Sequence, residues 1–222
     1  MPDYQIESKF ASDGAVIGVD EAGRGPWAGP VTAAAFWIEP SSLTSLPDRL
    51  TDSKKLTALQ RQSIRDGLVH TSSPHLYRVC HADNHLIDEI GILNACFQAM
   101  QTAVNELAAI LSARNIPIAQ VIVDGNILPQ LPYPAQAVVR GDSLSLSVAA
   151  ASIMAKTERD AVMAELDRVH PEYGWKQNAG YGTRQHQDAL HQYGPTPYHR
   201  YSFKPLSKLL PEKTPEKTPD KL

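Results

Sequence analysis

The chain has 222 residues, of which 42% are hydrophobic, and this is enough to bury one substantial core. Its formal net charge of -3 argues against a protein that binds polyanions through overall charge, although it is compatible with a local basic groove. The two cysteines, Cys80 and Cys96, are too few for a disulfide framework and lack zinc-ligand spacing, and no stretch is typical of a signal peptide or a membrane span. We therefore expect a soluble protein of the cytoplasm.

The first part of the chain predicts three strands and one helix. The runs AVIGVD (15–20) and PVTAAAFWI (30–38) are typical of strands joined by a glycine-rich connection. Residues 57–70 have helical spacing with Thr57 as the N-cap, and residues 75–82 alternate like a third strand.

The second part alternates helices with strands. Residues 83–113 predict one or two helices with an apolar stripe formed by Leu93, Phe97, Met100, Val104, Leu107 and Leu111. The run AQVIVDG (119–125) is typical of a central strand covered on both faces, and AQAVVRGD (135–142) repeats this pattern. Helices are predicted at about 146–168 and at 183–193. This order of elements favours a layered α/β domain with a mixed sheet.

The end of the chain differs in composition from the rest. PEKTPEKTPDKL (211–222) repeats proline with opposite charges, cannot bury apolar surface, and is predicted to be extended or disordered. We expect residues 1–210 to form one domain.

Acidic residues lie at the predicted carboxyl ends of three strands. Asp20 and Glu21 end the first strand, Asp124 ends the central strand, and Asp142 ends the strand after it. Because like charges raise one another's pKa, a cluster of unpaired carboxylates is unfavourable, and a divalent cation resolves the conflict. Oxygen ligands favour Mg²⁺ or Mn²⁺ over zinc, and a shared carboxylate can bridge two ions for phosphoryl displacement. If the strands are neighbours, the pattern favours a nuclease or a related site.

Each acid alone also has a purely structural interpretation. Asp124 can form a turn with the glycine that follows it, and Asp142 can cap the next helix. Asp20 and Glu21 point to opposite faces of a strand unless the strand ends or twists between them.

The segment GRGPWA also resembles a dinucleotide-binding fingerprint, which would suggest an oxidoreductase. Pro26 removes an amide donor from this segment, two carboxylates precede it, and no helix is predicted after it. These features disfavour the oxidoreductase hypothesis.

Six motifs together resemble ribonuclease HII in their order and spacing: GVDEAGRGPWAGPVTAAAF, TDSKKL, VDGN, GDSLSLSVAAASIMAKTERD, GYGTRQHQDAL and YGPTPYHRYSF. The resemblance covers about residues 14–205. It implies a ribonuclease H-like fold with a central mixed five-stranded sheet flanked by helices, and a small C-terminal helical part at about 165–210. It also places Asp20, Glu21, Asp124 and Asp142 on the four acidic positions of the family.

The resemblance implies a two-ion site with Mg²⁺ or Mn²⁺, which would cut on the 5′ side of a ribonucleotide and leave a 3′-hydroxyl and a 5′-phosphate. Gly23, Arg24 and Gly25 match the loop that touches the ribose 2′-hydroxyl, and Tyr181 matches a tyrosine that stacks on the next deoxyribose. The implied partners are RNA–DNA hybrids and DNA duplexes containing ribonucleotides, without a membrane, for a monomeric enzyme. An inactive nucleic-acid-binding domain on the same fold is the alternative.

Other motif positions have a less defined role. Ser53, Lys54 and Lys55 are candidates to hold the nucleic-acid backbone, although a solvated loop fits them equally well. Many relatives carry basic residues where this chain has Leu144 and Ala179, so two phosphate contacts are expected to be missing.

Further matches are expected to be structural. Lys156, Arg159 and Asp160 have the i,i+3 and i,i+4 spacing of helix-surface pairs. His186 and His199 have no predicted nucleophile beside them, and we expect them to pack in the interior.

Overall fold

The computed structural model describes residues 1–70 and 72–208, so the predicted tail at 211–222 lies outside the described residues. The strands are β1 (Ala15–Ala22), β2 (Val31–Trp37), β3 (Leu76–Ala82), β4 (Ile118–Asp124) and β5 (Ala135–Val138). They form one sheet in the order β3-β2-β1-β4-β5. The pairs β1–β2 and β2–β3 are antiparallel, whereas β1–β4 and β4–β5 are parallel. The predicted mixed five-stranded sheet is therefore confirmed.

The helices connect and cover these strands. They are α1 (Gln5–Ser8), α2 (Ala58–Leu68), α3 (Asn84–Ile90), α4 (Ile92–Ala113), α5 (Leu146–Val169), α6 (Trp175–Asn178) and α7 (Arg184–Tyr193). Thr57 caps α2 as predicted, because its hydroxyl accepts the Gln60 N–H while the Gln60 side chain accepts the Thr57 N–H. In the described part of the chain, no helix combines the length and apolarity needed to cross a membrane.

The predicted apolar stripe is correct except at its start. Met100, Val104, Leu107 and Leu111 are buried against the sheet. Leu93 is 37% exposed, so its predicted place in the core is wrong. It lies in the first turn of α4, where it lines a surface cavity beside acidic and basic side chains instead of covering the sheet.

Both faces of the sheet are covered, which explains the wholly apolar central strands. On β2, Ala33 and Ala35 face the core formed with α4, whereas Ala34 and Phe36 face the core formed with α5 and α2. This alternation follows from the period of two of a strand. The long helices α4 and α5 are thus held on opposite sides of the strands that carry the first acids.

Helix α5 lies unusually close to β1. A Cβ atom built on Gly18 would lie 2.2 Å from the carbonyl carbon of Ser147 and 2.3 Å from the amide nitrogen of Val148. Only glycine allows such a contact between a strand and a helix backbone. The contact places the start of α5, and the turn before it, next to β1.

The C-terminal part folds against the end of α5 around a buried aromatic cluster. Within it, His186 and His199 are fully buried, with their Nε2 atoms 3.0 Å apart. The Thr196 N–H donates to Nδ1 of His199 at 2.9 Å, and Nδ1 of His186 lies 3.0 Å from the Tyr181 carbonyl oxygen. This network is satisfied when both rings are neutral, with His199 donating to His186. The predicted interior packing of the two histidines is confirmed.

We expect the free energy of unfolding to fall as the pH is lowered from about 7 to about 5. Burial lowers the pKa of His199 to about 3, with the neighbouring His186 adding to the effect, and burial also lowers the pKa of His186. Since both titrate near 6.5 when unfolded, the unfolded state binds more protons below about pH 6.5, and for His199 this holds down to about pH 3. Each histidine should then remove up to about 1.4 kcal/mol per pH unit below that value.

Urea denaturation at the two pH values measures this loss. Replacing the exposed His191 with glutamine should leave the pH dependence unchanged and serves as the control. Because the raised pKa values of Asp20, Glu21 and Asp142 act in the opposite direction, the decisive comparison is with His199→Gln: a pH dependence equal to that of the wild type would contradict the neutral buried pair.

Candidate active site

Asp20 and Asp124 lie at the same edge of the sheet because β1 and β4 are parallel neighbours. Val19 pairs with Val123, so Asp20 and Asp124 follow at the same carboxyl edge of the sheet. Contrary to the prediction, Asp142 does not lie at the end of a strand. β5 ends at Val138, and Asp142 lies in a 3-10 turn, Gly141–Ser143, that follows it.

The turn that carries Asp142 is tied to β4. Arg140 has the left-handed backbone angle φ of 58°, which ends the extended chain before the acid is reached. The Gly141 N–H then donates to Oδ1 of Asp124 at 2.6 Å. The strand prediction for 139–142 is therefore wrong, although Asp142 still lies beside Asp124.

Mutual repulsion of the carboxylates is visible in their pKa values. Burial raises the pKa of Asp20 well above its ordinary value, and the charges of Glu21 and Asp124 raise it further. Hydrogen bonds from the Ser152 hydroxyl and, at 2.7 Å, from the Glu21 N–H act in the opposite direction. Burial also raises the pKa of Asp142, with the charge of Asp124 adding to it.

Asp20 and Glu21 point to opposite faces, because β1 continues through Ala22. Asp20 is buried on the side of α5, where the Ser152 hydroxyl lowers its pKa. Glu21 lies on the side of α4, beside Cys96, and accepts a hydrogen bond from Nη1 of Arg24 at 3.4 Å. Burial raises the pKa of Glu21, while Arg24 opposes this shift. The two acids thus flank the edge from both sides.

The donor set suits a hard divalent cation. The four predicted ligands offer only carboxylate oxygens, and their repulsion would be relieved by a cation among them. Within residues 1–70 and 72–208, no three Asp, Glu, His or Cys side chains are already grouped as a metal site. The chemistry of the acids at this edge therefore fits a hard cation, although they are not grouped as a preformed site.

Asp52 is a fifth acid that the sequence prediction missed as a site residue. Its charge and a hydrogen bond raise the pKa of Asp142 after the effect of burial. It also caps the short helical turn Ser53–Lys55 by accepting the Lys54 N–H at 2.9 Å. The only available signal was the turn-forming Asp of TDSKK, which does not distinguish a cap from a site residue.

Two neighbouring cavities adjoin the acids. A cleft of about 450 Å³ is lined by residues that include Glu21, Gly23, Arg24, Gly25, Ser53, Lys54 and Tyr181. A cavity of about 470 Å³ is lined by residues that include Asp52, Lys54, Lys55, Asp124 and Asp142. Lys54 lines both, so the cleft with most of the predicted substrate residues adjoins the cavity with Asp124 and Asp142.

Ser53, Lys54 and Lys55 each have different surroundings. The Ser53 hydroxyl is buried and lies 3.0 Å from that of Ser152. Burial alone would lower the pKa of the Lys54 ammonium, but Asp20 and Asp142 reverse this and raise it. Lys55 is exposed, with Nζ 3.4 Å from the Ser143 hydroxyl. Lys54 is thus the positively charged side chain of this segment whose pKa the acids raise.

The loop Gly23–Arg24–Gly25 and Tyr181 form the other end of the cleft. Gly23 has a φ of +92°, and a Cβ atom there would lie 1.9 Å from Nε of Arg159. A Cβ on Gly25 would lie 3.3 Å from the Tyr181 ring, which is 50% exposed. The loop leads into β2, as expected if GRGPWA does not open a nucleotide-binding helix.

Arg159 does not belong to the helix surface, and its predicted surface role is wrong. It is 1% exposed and donates to the backbone carbonyls of Pro30, Ala179 and Ala28 at 2.9, 2.9 and 3.2 Å. Lys156 and Asp160 do form the predicted i,i+4 pair on the helix, at 2.6 Å. The spacing within α5 gave no sign of the Arg159 contacts, because all three carbonyls lie outside the helix.

Comparison with known proteins identifies the family. The model of the family described as Ribonuclease HII matches residues 17–206. The ribonuclease HII of Rhodospirillum rubrum is 49% identical over 211 residues, which cover 95% of this chain and 92% of that relative.

Solved structures agree with the predicted ribonuclease H-like fold. The ribonuclease H2 of Pyrococcus horikoshii OT3 has a TM-score of 0.69 at 27% identity, covering 88% of this chain and 96% of that one. Bst-RNase HIII, crystallised in complex with Mn²⁺, has a TM-score of 0.71 at 17% identity, covering 87% and 68%, and supports the fold alone. Because the family match spans most of the residues and a relative of nearly equal extent is almost half identical, the chain belongs to the ribonuclease HII family.

Proposed function

We propose that this ribonuclease cleaves the RNA strand of RNA–DNA hybrids and nicks DNA duplexes on the 5′ side of embedded ribonucleotides. The products would carry a 3′-hydroxyl and a 5′-phosphate. The observation that carries the proposal is that the cleft lined by Glu21, the glycine loop and the exposed Tyr181 shares Lys54 with the cavity lined by Asp124 and Asp142. A loop that reads a sugar beside acids that hydrolyse a phosphodiester accounts for both halves of the site.

Enzymes of the ribonuclease H families depend on divalent cations. We propose Mg²⁺ or Mn²⁺ here, held by Asp20, Glu21, Asp124 and Asp142, whose oxygens match the preference of these ions. When bound, a pair of such ions activates water and stabilises the leaving oxygen. The carboxylates hold the charge at the sheet edge, and Asp52 adds to the negative potential there.

The remaining residues orient the substrate. Gly23, Arg24 and Gly25 allow the backbone to approach the ribose, where a Cβ would keep the sugar away. Lys54 lies between the acids and the cleft, where its ammonium can bind the phosphate next to the cut bond. Ser53 and Lys55 support the same strand of nucleic acid. Cleavage then needs no covalent intermediate with the protein.

We propose further that residues 1–210 act as one catalytic unit, in which about 165–210 form the helical part that carries Tyr181. The enzyme would act as a monomer in the cytoplasm. Leu144 is 48% exposed near the acids, and Ala179 lies two residues before Tyr181. Since neither carries a positive charge, the salt dependence of substrate binding should be weaker by about one unit of slope for each missing contact.

One experiment tests this function directly. A DNA duplex with a single ribonucleotide is incubated with the enzyme and Mg²⁺, Mn²⁺ or EDTA, beside an all-DNA duplex and a full hybrid. We expect metal-dependent nicking at the ribonucleotide, cleavage of the hybrid, and no cleavage of the all-DNA duplex. Extension of the upstream fragment by a DNA polymerase would verify the 3′-hydroxyl. Binding without metal-dependent cleavage would instead favour the inactive nucleic-acid-binding domain.

Replacing Tyr181 with alanine should slow nicking at a single ribonucleotide by about tenfold, because stacking of an aromatic ring on the neighbouring nucleotide is lost. Cleavage within a long hybrid should fall less, since it presents no deoxyribose after the cut in the RNA strand. Tyr193→Ala provides the control, because Tyr193 is 58% exposed and does not line the cleft. Steady-state rates on both substrates measure the difference, and equal losses on both would assign Tyr181 a structural role only.

A further inference from the structure

Two buried arginines beneath the cleft have no carboxylate partner among residues 1–70 and 72–208. Arg159 is 1% exposed and Arg200 is fully buried, yet neither forms a salt bridge in this part of the chain. Burial lowers the pKa of Arg159 to about 10 and that of Arg200 to about 9. A buried charge without a counter-ion is unfavourable unless its donors are satisfied, so the partners of these side chains are informative.

Backbone carbonyls satisfy both guanidinium groups. Arg200 donates from Nε to Gly29 at 2.9 Å, from Nη1 to Arg24 at 3.0 Å and from Nη2 to Gly23 at 2.7 Å. Arg159 donates in the same way to the carbonyls of Ala28 and Pro30, which follow this loop, and to that of Ala179, which precedes Tyr181. The rigid fork of an arginine fixes the direction of each carbonyl it binds. Arg200 therefore fixes two consecutive peptide planes of the glycine loop.

The orientation of these planes determines where the amide groups point. In a trans peptide, the C=O and the N–H of the next residue point in opposite directions. Because the Gly23 and Arg24 carbonyls are turned toward buried Arg200, the Arg24 and Gly25 N–H groups are turned away from it. Both residues line the cleft. Neither N–H has an acceptor within the described chain.

We propose that Arg200 is a positioning residue that holds the Arg24 and Gly25 N–H groups toward the cleft, where they donate to the 2′-hydroxyl oxygen of the bound ribonucleotide. This inference rests on the proposed function, because it explains how the loop distinguishes ribose from deoxyribose. Arg159 supports the same arrangement from below, at the position where Gly23 leaves no room for a Cβ. A deoxyribose offers no oxygen there, so both donors lose their partner.

The test uses Arg200→Lys in an Asp142→Asn background, which is expected to bind substrate without cutting it. Lysine keeps the charge but cannot span two carbonyls. The Kd is measured in Mg²⁺ for two duplexes that differ only in one ribonucleotide. We expect the preference for the ribonucleotide duplex to fall about tenfold, with less than a twofold change for the all-DNA duplex. Arg168→Lys is the matched control, because Arg168 lies exposed on α5 and binds only Glu165.

A second measurement does not depend on the folding of an arginine variant. Hydrogen exchange of the Arg24 and Gly25 amides in Asp142→Asn should be fast in the free protein. Exchange should slow on addition of the ribonucleotide duplex and stay fast with the all-DNA duplex.

The outcomes separate this inference from the proposed function. If Asp142→Asn with Arg200 intact shows no preference for the ribonucleotide duplex, the proposed substrate is wrong. If that preference exists but a folded Arg200→Lys protein keeps it in full, or the two amides gain no protection, Arg200 does not position the loop.

Discussion

Replacing Asp20 with asparagine should abolish cleavage while raising the melting temperature of the metal-free protein. Asp20 is 5% exposed, and burial together with Glu21 and Asp124 disfavours its charged form. An amide of the same shape removes the repulsion and keeps one acceptor oxygen for the Glu21 N–H. We expect the stability to rise by about 1 kcal/mol, or roughly 2–4 °C in a chain of this size.

The same substitution removes a proposed cation ligand, so the rate at a ribonucleotide should fall by about 10³-fold or more. Mn²⁺ should also stabilise the variant less than it stabilises the wild type, since the acids hold it less tightly. Thermal denaturation with and without Mn²⁺, beside a cleavage assay, measures all three effects. Asp48→Asn is the control, because Asp48 is exposed and lines neither cavity. A variant that melts at a lower temperature, or that still cuts at a tenth of the normal rate, would contradict the assignment.

Replacing Gly18 with alanine should destabilise the protein by about 3 kcal/mol, at the upper end of the range for overpacked cores. The new Cβ would lie 2.2–2.3 Å from the backbone of α5, and a backbone cannot move aside as a flexible side chain can. Helix α5 must therefore shift away from β1. Because Ser152 and the turn with Asp142 move with α5, cleavage should fall at temperatures at which the variant is still folded.

Urea denaturation and cleavage at 25 °C measure these two effects of Gly18→Ala. Gly91→Ala is the control, since its Cβ would meet nothing within 4 Å and its φ of +82° introduces only backbone strain, of about 1–3 kcal/mol. A Gly18 variant that loses less stability than the Gly91 variant would show that α5 does not lie firmly on β1.

The pattern of apolar residues along the chain was sufficient to predict the elements whose structure depends on burial and strand direction. The apolar runs that end at Asp20 and Asp124 predicted central strands, and parallel pairing then brought both acids to one edge. The turn that carries Asp142 was not predictable in this way. Its left-handed residue is stabilised by a hydrogen bond from Gly141 to Asp124, and such a long-range contact leaves no local signal.

The buried arginines were also beyond sequence reasoning from spacing. Arg159 lies in a helix whose first half is buried on all sides. The sequence of this helix therefore has no polar face that would distinguish exposed positions from buried ones. The acceptors of Arg159 are backbone carbonyls, which every residue type provides. The residues that we propose to contact the substrate thus carry a motif signal in the sequence, whereas the arginines that hold them carry none.

The position of β1 in the sheet has a consequence for protein synthesis. β1 lies between β2, which follows it directly, and β4, which the ribosome makes roughly a hundred residues later. A half-made chain therefore has Asp20 without Asp124 or Asp142, and closing so long a loop is slow. A chain that ends before residue 142 therefore lacks part of the proposed cation site, and we expect it to be unable to cut nucleic acid.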